Sequence, residues 1–157
     1  MTVYGGPYLT DGDVGIGPAD LTELRVEALS SDMERDVDAW AARAGDDAGM
    51  LHFGVTYRGQ LIGQVFLHDM DMDMGKGESL VGYHLFEAWR QQGMGTKALS
   101  LLQHYVAEQT SLGRLLAITE DTNVASRRLG ARCGFSETGP SREDPEHGVV
   151  MEWRVPR

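Results

Sequence analysis

The sequence predicts a mixed α/β domain, and three observations carry that prediction. Alternating apolar and polar residues flank tight turns toward both ends of the chain, as hairpin strands do. A long segment from residue 94 repeats its apolar side chains at helical spacing. Two glycines, Gly93 and Gly95, join that segment to the apolar run before it, so helical crossovers are expected in the middle of the chain.

The elements follow in order. The opening is glycine-rich through Gly17, with Val14 to Pro18 as a short first strand. Asp20 then caps a helix carrying Leu21, Leu24 and Leu29. A second helix starts at Ser31 or Asp32, presents Met33, Val37, Trp40, Ala41 and Ala44 on one side, and ends at Gly45-Asp46-Asp47. Met50 to Tyr57 alternates as a strand, Arg58-Gly59 turns, and Leu61 to Leu67 returns. His68 to Gly75 holds three Asp-Met pairs; acids two apart could offer oxygens to a cation, but the spacing lacks the glycine and distal Glu of a calcium loop. A solvated hairpin connection and no metal site are expected there.

Leu80 to Phe86 reads as a buried strand, and Ala98, Leu101, Leu102, Tyr105 and Val106 mark the apolar face of the helix beyond the glycines. Leu115 to Thr119 is a compact strand that Glu120-Asp121-Thr122 breaks. Asn123 is placed to cap a short helix running to Cys133, with Gly134 at its C′ position. Phe135 to Thr138 starts a further strand, Gly139 to Gly148 is a polar loop, and Val149 to Val155 closes with alternation.

The turn Arg90-Gln91-Gln92-Gly93-Met94-Gly95-Thr96 has a chemical reading as well. A helix start leaves four backbone N–H groups without intrahelical partners, and the macrodipole adds partial positive charge there. Glycines let such a backbone curl onto a phosphate without a Cβ in the way. The same composition serves a tight strand-to-helix turn for steric reasons alone, so the loop by itself leaves both readings open.

At 157 residues the chain fits one domain, 1–157, with a sizeable core. No apolar run approaches the ~20 residues that span a bilayer, so no membrane partner is expected. Met1 to Pro7 has neither a basic start nor an apolar stretch, and the single Cys133 cannot form an internal disulfide; a cytoplasmic location is the expectation. With 14 basic and 24 acidic residues the net charge is −10, which argues against a nucleic-acid partner and suits an amine-bearing one. Oligomeric state is not written in the sequence, and a homodimer is compatible with it.

Two spaced features combine. Arg90-x-x-Gly93-x-Gly95 follows a strand, and some thirty residues on come Asn123-x-x-Ser126 and Arg132-x-Gly134-Phe135. The pairing resembles the GNAT superfamily of acetyl-CoA-dependent N-acetyltransferases, from about residue 50 onward. Gly82-Tyr83-His84-Leu85 with Gly93-Met94-Gly95-Thr96-Lys97-Ala98 is similar to its ribosomal-protein N-terminal (alanine) acetyltransferase branch. The resemblance implies a mostly antiparallel central sheet flanked by helices, with a splay between its two central strands. It implies acetyl-CoA as cosubstrate and a primary amine as acceptor, in a peptide N-terminus or a small molecule.

Carried onto this chain, the resemblance makes the N–H groups of Gln91, Gln92, Gly93, Met94, Gly95 and Thr96, behind Arg90, the diphosphate cradle. Main-chain groups near His84, Leu85 and Phe86 pair with the pantetheine arm, Leu85 supplies an oxyanion donor, and Asn123 holds the arm or simply caps its helix. Ser126 faces the thioester and donates to the leaving thiolate. For the base, Glu120 comes first, then Glu78, then Glu143, Asp144 or Glu146, with His84 acting through a water. The chain departs from the superfamily at two positions: Gly130 stands where many members have a tyrosine acid, and Leu80 where the branch often has Glu. Those departures motivate an alternative, a catalytically weak acyl-CoA-binding or regulatory module.

Overall fold

The computed structural model describes residues 3–4, 9–20, 51–71, 77–85, 87–142 and 144–156. The two helices read between Asp20 and Ala44, the end of the Asp-Met run and Glu143 lie outside the described residues; Asp20 itself closes a strand. Nine strands form one sheet there: β1 (Val3–Tyr4), β2 (Leu9–Asp11), β3 (Val14–Asp20), β4 (Leu51–Tyr57), β5 (Gln60–Asp71), β6 (Glu78–Leu85), β7 (Arg114–Glu120), β8 (Ser136–Pro140) and β9 (Gly148–Arg154). Their order is β1-β3-β4-β5-β6-β7-β9-β8, with β2 also on β3. Two helices, α1 (Met94–Gln109) and α2 (Val124–Arg132), make the crossovers to β7 and β8.

Two expectations shift. The opening is more ordered than its glycines suggest, because β2 pairs with β3 through Leu9↔Ile16 and Asp11↔Val14, an antiparallel hairpin on Gly12. β5 runs past Leu67 into the Asp-Met stretch, where Asp71 pairs with Glu78 after a register shift; ladder pairing overrides the polar composition.

Helix α1 buries the face its spacing marks: Ala98, Leu99, Leu102 and Val106 are fully covered, and Tyr105 meets Phe53 edge to face with ring centroids 4.9 Å apart. Burying one such leucine is worth about 2 kcal/mol, so packing rather than propensity fixes this helix on the sheet. Helix α2 is fixed by its ends. Asn123 Oδ1 accepts from the Ser126 N–H at 3.1 Å, and at the other end Gly134, at φ 86°, donates to Ala131 O while Phe135 N–H reaches Gly130 O at 2.9 Å. That pair of bonds is a Schellman motif, which requires the left-handed residue glycine supplies.

Among the described residues β6 and β7 are the one parallel neighbour pair, and they pair at Glu78↔Arg114, Ser79↔Leu115 and Leu80↔Leu116 only. Beyond these pairs they part. From Val81 to Leu85 β6 stays laddered to β5, and from Ala117 to Glu120 β7 stays laddered to β9, so each arm is held from outside while a wedge opens between them. The closed end is clamped: Gly113 N–H donates to Gly77 O, and Arg114 joins Glu78 of β6 to Glu152 of β9.

Candidate active site

The wedge has the glycine turn at its mouth. After Leu85 the chain makes a 3-10 turn (Glu87–Trp89) and enters α1 through Gln91 at φ 62° and Gly93 at φ 80°. No side chain caps α1 and no acid stands in its first turn, so its first N–H groups remain available to an anion. The turn is held from behind, with Arg90 Nε donating to Leu85 O at 2.9 Å and Gln92 Nε2 to Ala88 O at 3.1 Å. Those two bonds help to shape the loop. Phe86 lies outside the described residues.

The two glycines differ in purpose. A Cβ on Gly93 would meet nothing within 4 Å, so its backbone conformation is what demands glycine. A Cβ on Gly95 would stand 2.7 Å from Leu129 Cδ1, so there the demand is close packing of α1 against α2. Met94 is buried beneath the turn, and Thr96 O accepts from the Cys133 thiol at 3.6 Å. Burial raises the Cys133 pKa, which keeps that thiol protonated and inert.

Helix α2 brings Ser126 to the wedge, where it meets a residue that sequence reasoning missed. The Tyr83 hydroxyl lies 2.8 Å from Ser126 Oγ and 3.2 Å from Ser126 O. Burial pushes the Tyr83 phenol up, only partly offset by the Ser126 bond. The signal was present in strand alternation: Val81, Tyr83 and Leu85 share one face of β6, the face that α1 and α2 cover. One turn beyond Ser126, Gly130 is buried, and a Cβ there would stand 2.8 Å from Met151 Sδ. The space a side chain at 130 would need, where the resemblance implies a tyrosine, is already filled by a methionine from β9.

The candidate bases lie elsewhere. Because Leu80 and Leu116 are paired in parallel, residues two and four further along each strand share their face, which puts His84 and Glu120 on corresponding positions of the two arms. By alternation this is the face opposite Tyr83. Glu120 is exposed at the end of β7, and His84 is half-buried beside Gln64 of β5. Two residues before Glu120 on the same face of β7, Ile118 is 48% exposed. Glu78 sits at the clamped end of the wedge, bound to Arg114, well away from its mouth. Asp144 and Glu146 are exposed in the turn before β9, where Asp144 O accepts from the Gly148 N–H. No group of three or more metal-ligating side chains occurs among the described residues.

An open, mostly antiparallel sheet with a wedge between two central strands and an uncapped glycine turn at the wedge's mouth is an acetyltransferase architecture. The sequence matches the acetyltransferase (GNAT) domain family over residues 14–136, and the chain belongs to that family. It is 30% identical over 116 residues, 73% of its length, to YdaF of Bacillus subtilis (strain 168), provisionally named a ribosomal N-acetyltransferase. The chain spans 62% of that protein's length. Its fold matches RimL, a ribosomal L7/L12 α-N-protein acetyltransferase solved with coenzyme A, at a TM-score of 0.78 and 14% identity, covering 95% of this chain and 98% of that one. Spermidine N-acetyltransferase from Vibrio cholerae, solved with coenzyme A and spermine, matches at 0.76 and 14% identity over 92% and 97%. Such identities speak to the fold, and they agree on the mixed, mostly antiparallel sheet.

Proposed function

We propose that this chain is an acetyl-CoA-dependent N-acetyltransferase that moves an acetyl group directly to a primary amine, at a peptide N-terminus or on a small molecule. The observation that carries the reading is the parting of β6 from β7 beyond Leu80 and Leu116, with the uncapped start of α1 at the open end. A long cosubstrate carrying a diphosphate at one end and a thioester at the other fits that pairing of features. The N–H groups from Gln91 to Thr96 take the diphosphate, and the inner edge of β6 around Leu85 and Phe86 takes the amide-bearing arm. Asn123 spends its carbonyl oxygen on the Ser126 N–H, which leaves its amide NH₂ to donate to that arm.

Acetyl-CoA supplies an activated acyl group on a good leaving thiol. The residues of this chain have three tasks around it. Backbone N–H near Leu85 faces the developing oxyanion, Ser126 donates to the departing sulfur, and Glu120 or His84, on the other face, takes the amine's proton directly or through water. Cofactor and acceptor thus approach from opposite faces of the wedge. Ile118 offers the acceptor an apolar wall beside Glu120.

The acceptor class rests on the relatives' names, one ribosomal and one a polyamine enzyme, and on the net charge of −10, which favours a cationic partner. The same reading treats residues 1–157 as one domain acting in the cytoplasm. A homodimer is compatible with it, although every residue invoked belongs to one chain. Among the described residues no helix is long and apolar enough to cross a membrane.

Calorimetric titration tests the cofactor half of the reading. Coenzyme A should bind, and pantetheine, which lacks the diphosphate, should bind at least about tenfold more weakly. Equal affinities would remove the glycine turn from the site.

A further inference from the structure

The Tyr83–Ser126 contact crosses the wedge between elements 43 residues apart, and it joins the strand arm to the helix that carries the thiol-facing serine. The phenol has a single hydrogen and two acceptors within reach, Ser126 Oγ at 2.8 Å and Ser126 O at 3.2 Å. A serine hydroxyl likewise has one hydrogen. If that hydrogen points at Tyr83, it is unavailable to the sulfur. If Tyr83 donates to Oγ, the serine hydrogen is released toward the wedge and is polarised by the bond behind it.

We propose that Tyr83 is a positioning residue for acetyl transfer, whose phenol donates to Ser126 Oγ and thereby aims the Ser126 hydrogen at the leaving sulfur. The inference rests on the reading of Ser126 given above. In the step it serves, the amine nitrogen forms the C–N bond, the C–S bond breaks, and sulfur keeps its electron pair while accepting the Ser126 hydrogen bond. The amine proton leaves to the base on the opposite face. Tyr83 donates throughout and exchanges no proton.

The surroundings suit a donor that must stay protonated. Burial holds the phenol above its ordinary value, and the titratable group that acts on it is Cys133 at the end of α2, itself kept neutral by burial. Across the ladder its partner on β5 is Val65, and no carboxylate, imidazole or cation among the described residues shifts it. This also accounts for how the chain works without a tyrosine at 130. The phenol comes from β6 instead and acts through Ser126.

Kinetics on Tyr83→Phe, Ser126→Ala and the double variant test the proposal, with the acceptor amine found for the unaltered protein. Tyr83→Phe should lower kcat about tenfold, the worth of one hydrogen bond, and leave the affinity for acetyl-CoA unchanged. On the Ser126→Ala background the same change should alter kcat less than about twofold, because Tyr83 acts only through Ser126. An unchanged kcat in Tyr83→Phe, or multiplicative losses in the double variant, overturns it. Tyr83→difluorotyrosine keeps the ring's size while acidifying the phenol, and it decides the question if Tyr83→Phe fails to fold. The alkaline fall of kcat should move to lower pH, since a phenolate cannot donate; an unmoved limb overturns the proposal. A protein that transfers to no amine removes the acetyltransferase reading and this proposal together, whereas transfer unaffected by Tyr83→Phe removes the role of Tyr83 alone.

Discussion

Gly130 and Gly93 show how differently two glycines constrain one site. Met151 is almost fully buried and its sulfur occupies the space a Cβ at 130 would need, so Gly130→Tyr should not restore a missing acid. It should overpack the α2–β9 contact and cost about 1–3 kcal/mol, read as a lower melting temperature with no gain in kcat. A variant melting like the parent would mean that Met151 yields freely. Gly93 faces open space, so Gly93→Val meets no clash but must hold a β-branched residue at φ 80°. The strain is on the order of 1–3 kcal/mol and falls on the turn. Coenzyme A affinity should drop at least about tenfold by calorimetry, and unchanged affinity would detach the turn from the cofactor. The sequence displayed both glycines but not their reasons, because a clash with a residue 21 positions away cannot be read from local spacing. Tyr83 meets the same limit: strand alternation puts it on the helix-covered face of β6, but its partner lies 43 residues on.

Among the described elements, α1, α2 and the β4–β5 hairpin were legible, and the pairing of the central strands was not. Asn123 and Gly134 announce both ends of α2, since capping chemistry is local, and the apolar stripe of α1 is visible as periodicity. The splay entered only through family resemblance; no local pattern tells β6 to pair with β7 for three residues and then stop. What keeps the closed end closed is the Arg114 bridge between Glu78 and Glu152, with Arg154 also bonding Glu152 at 2.9 Å. Arg114, Glu78 and Glu152 are partly covered, at 39%, 25% and 16% exposed, so losing Arg114 strips Glu78 of its cation and leaves it beside Glu152 near the hinge of the wedge. Arg114→Met should therefore cost about 1–3 kcal/mol in urea unfolding and loosen coenzyme binding with it. Unaltered binding in a destabilised variant would show the hinge to be independent of the site.

Over the whole molecule, the proposed chemistry divides between the two faces of the wedge. Tyr83 and Ser126 lie on the face proposed for the thiol, while Glu120, His84 and Ile118 lie on the opposite face, where the proposed acceptor would approach. Composition conveyed the charge, and paired motifs conveyed the family. The division of labour between faces needed the strand register. The claim joining these parts is direct acetyl transfer through the wedge, and incubation with acetyl-CoA and a panel of amines and peptide N-termini, reading thiol release alongside acetylated product by mass spectrometry, tests it. Thiol released in step with one acetylated amine is the expected result. A protein that binds acetyl-CoA yet releases no thiol above the blank with any amine would contradict it and leave a binding module in its place.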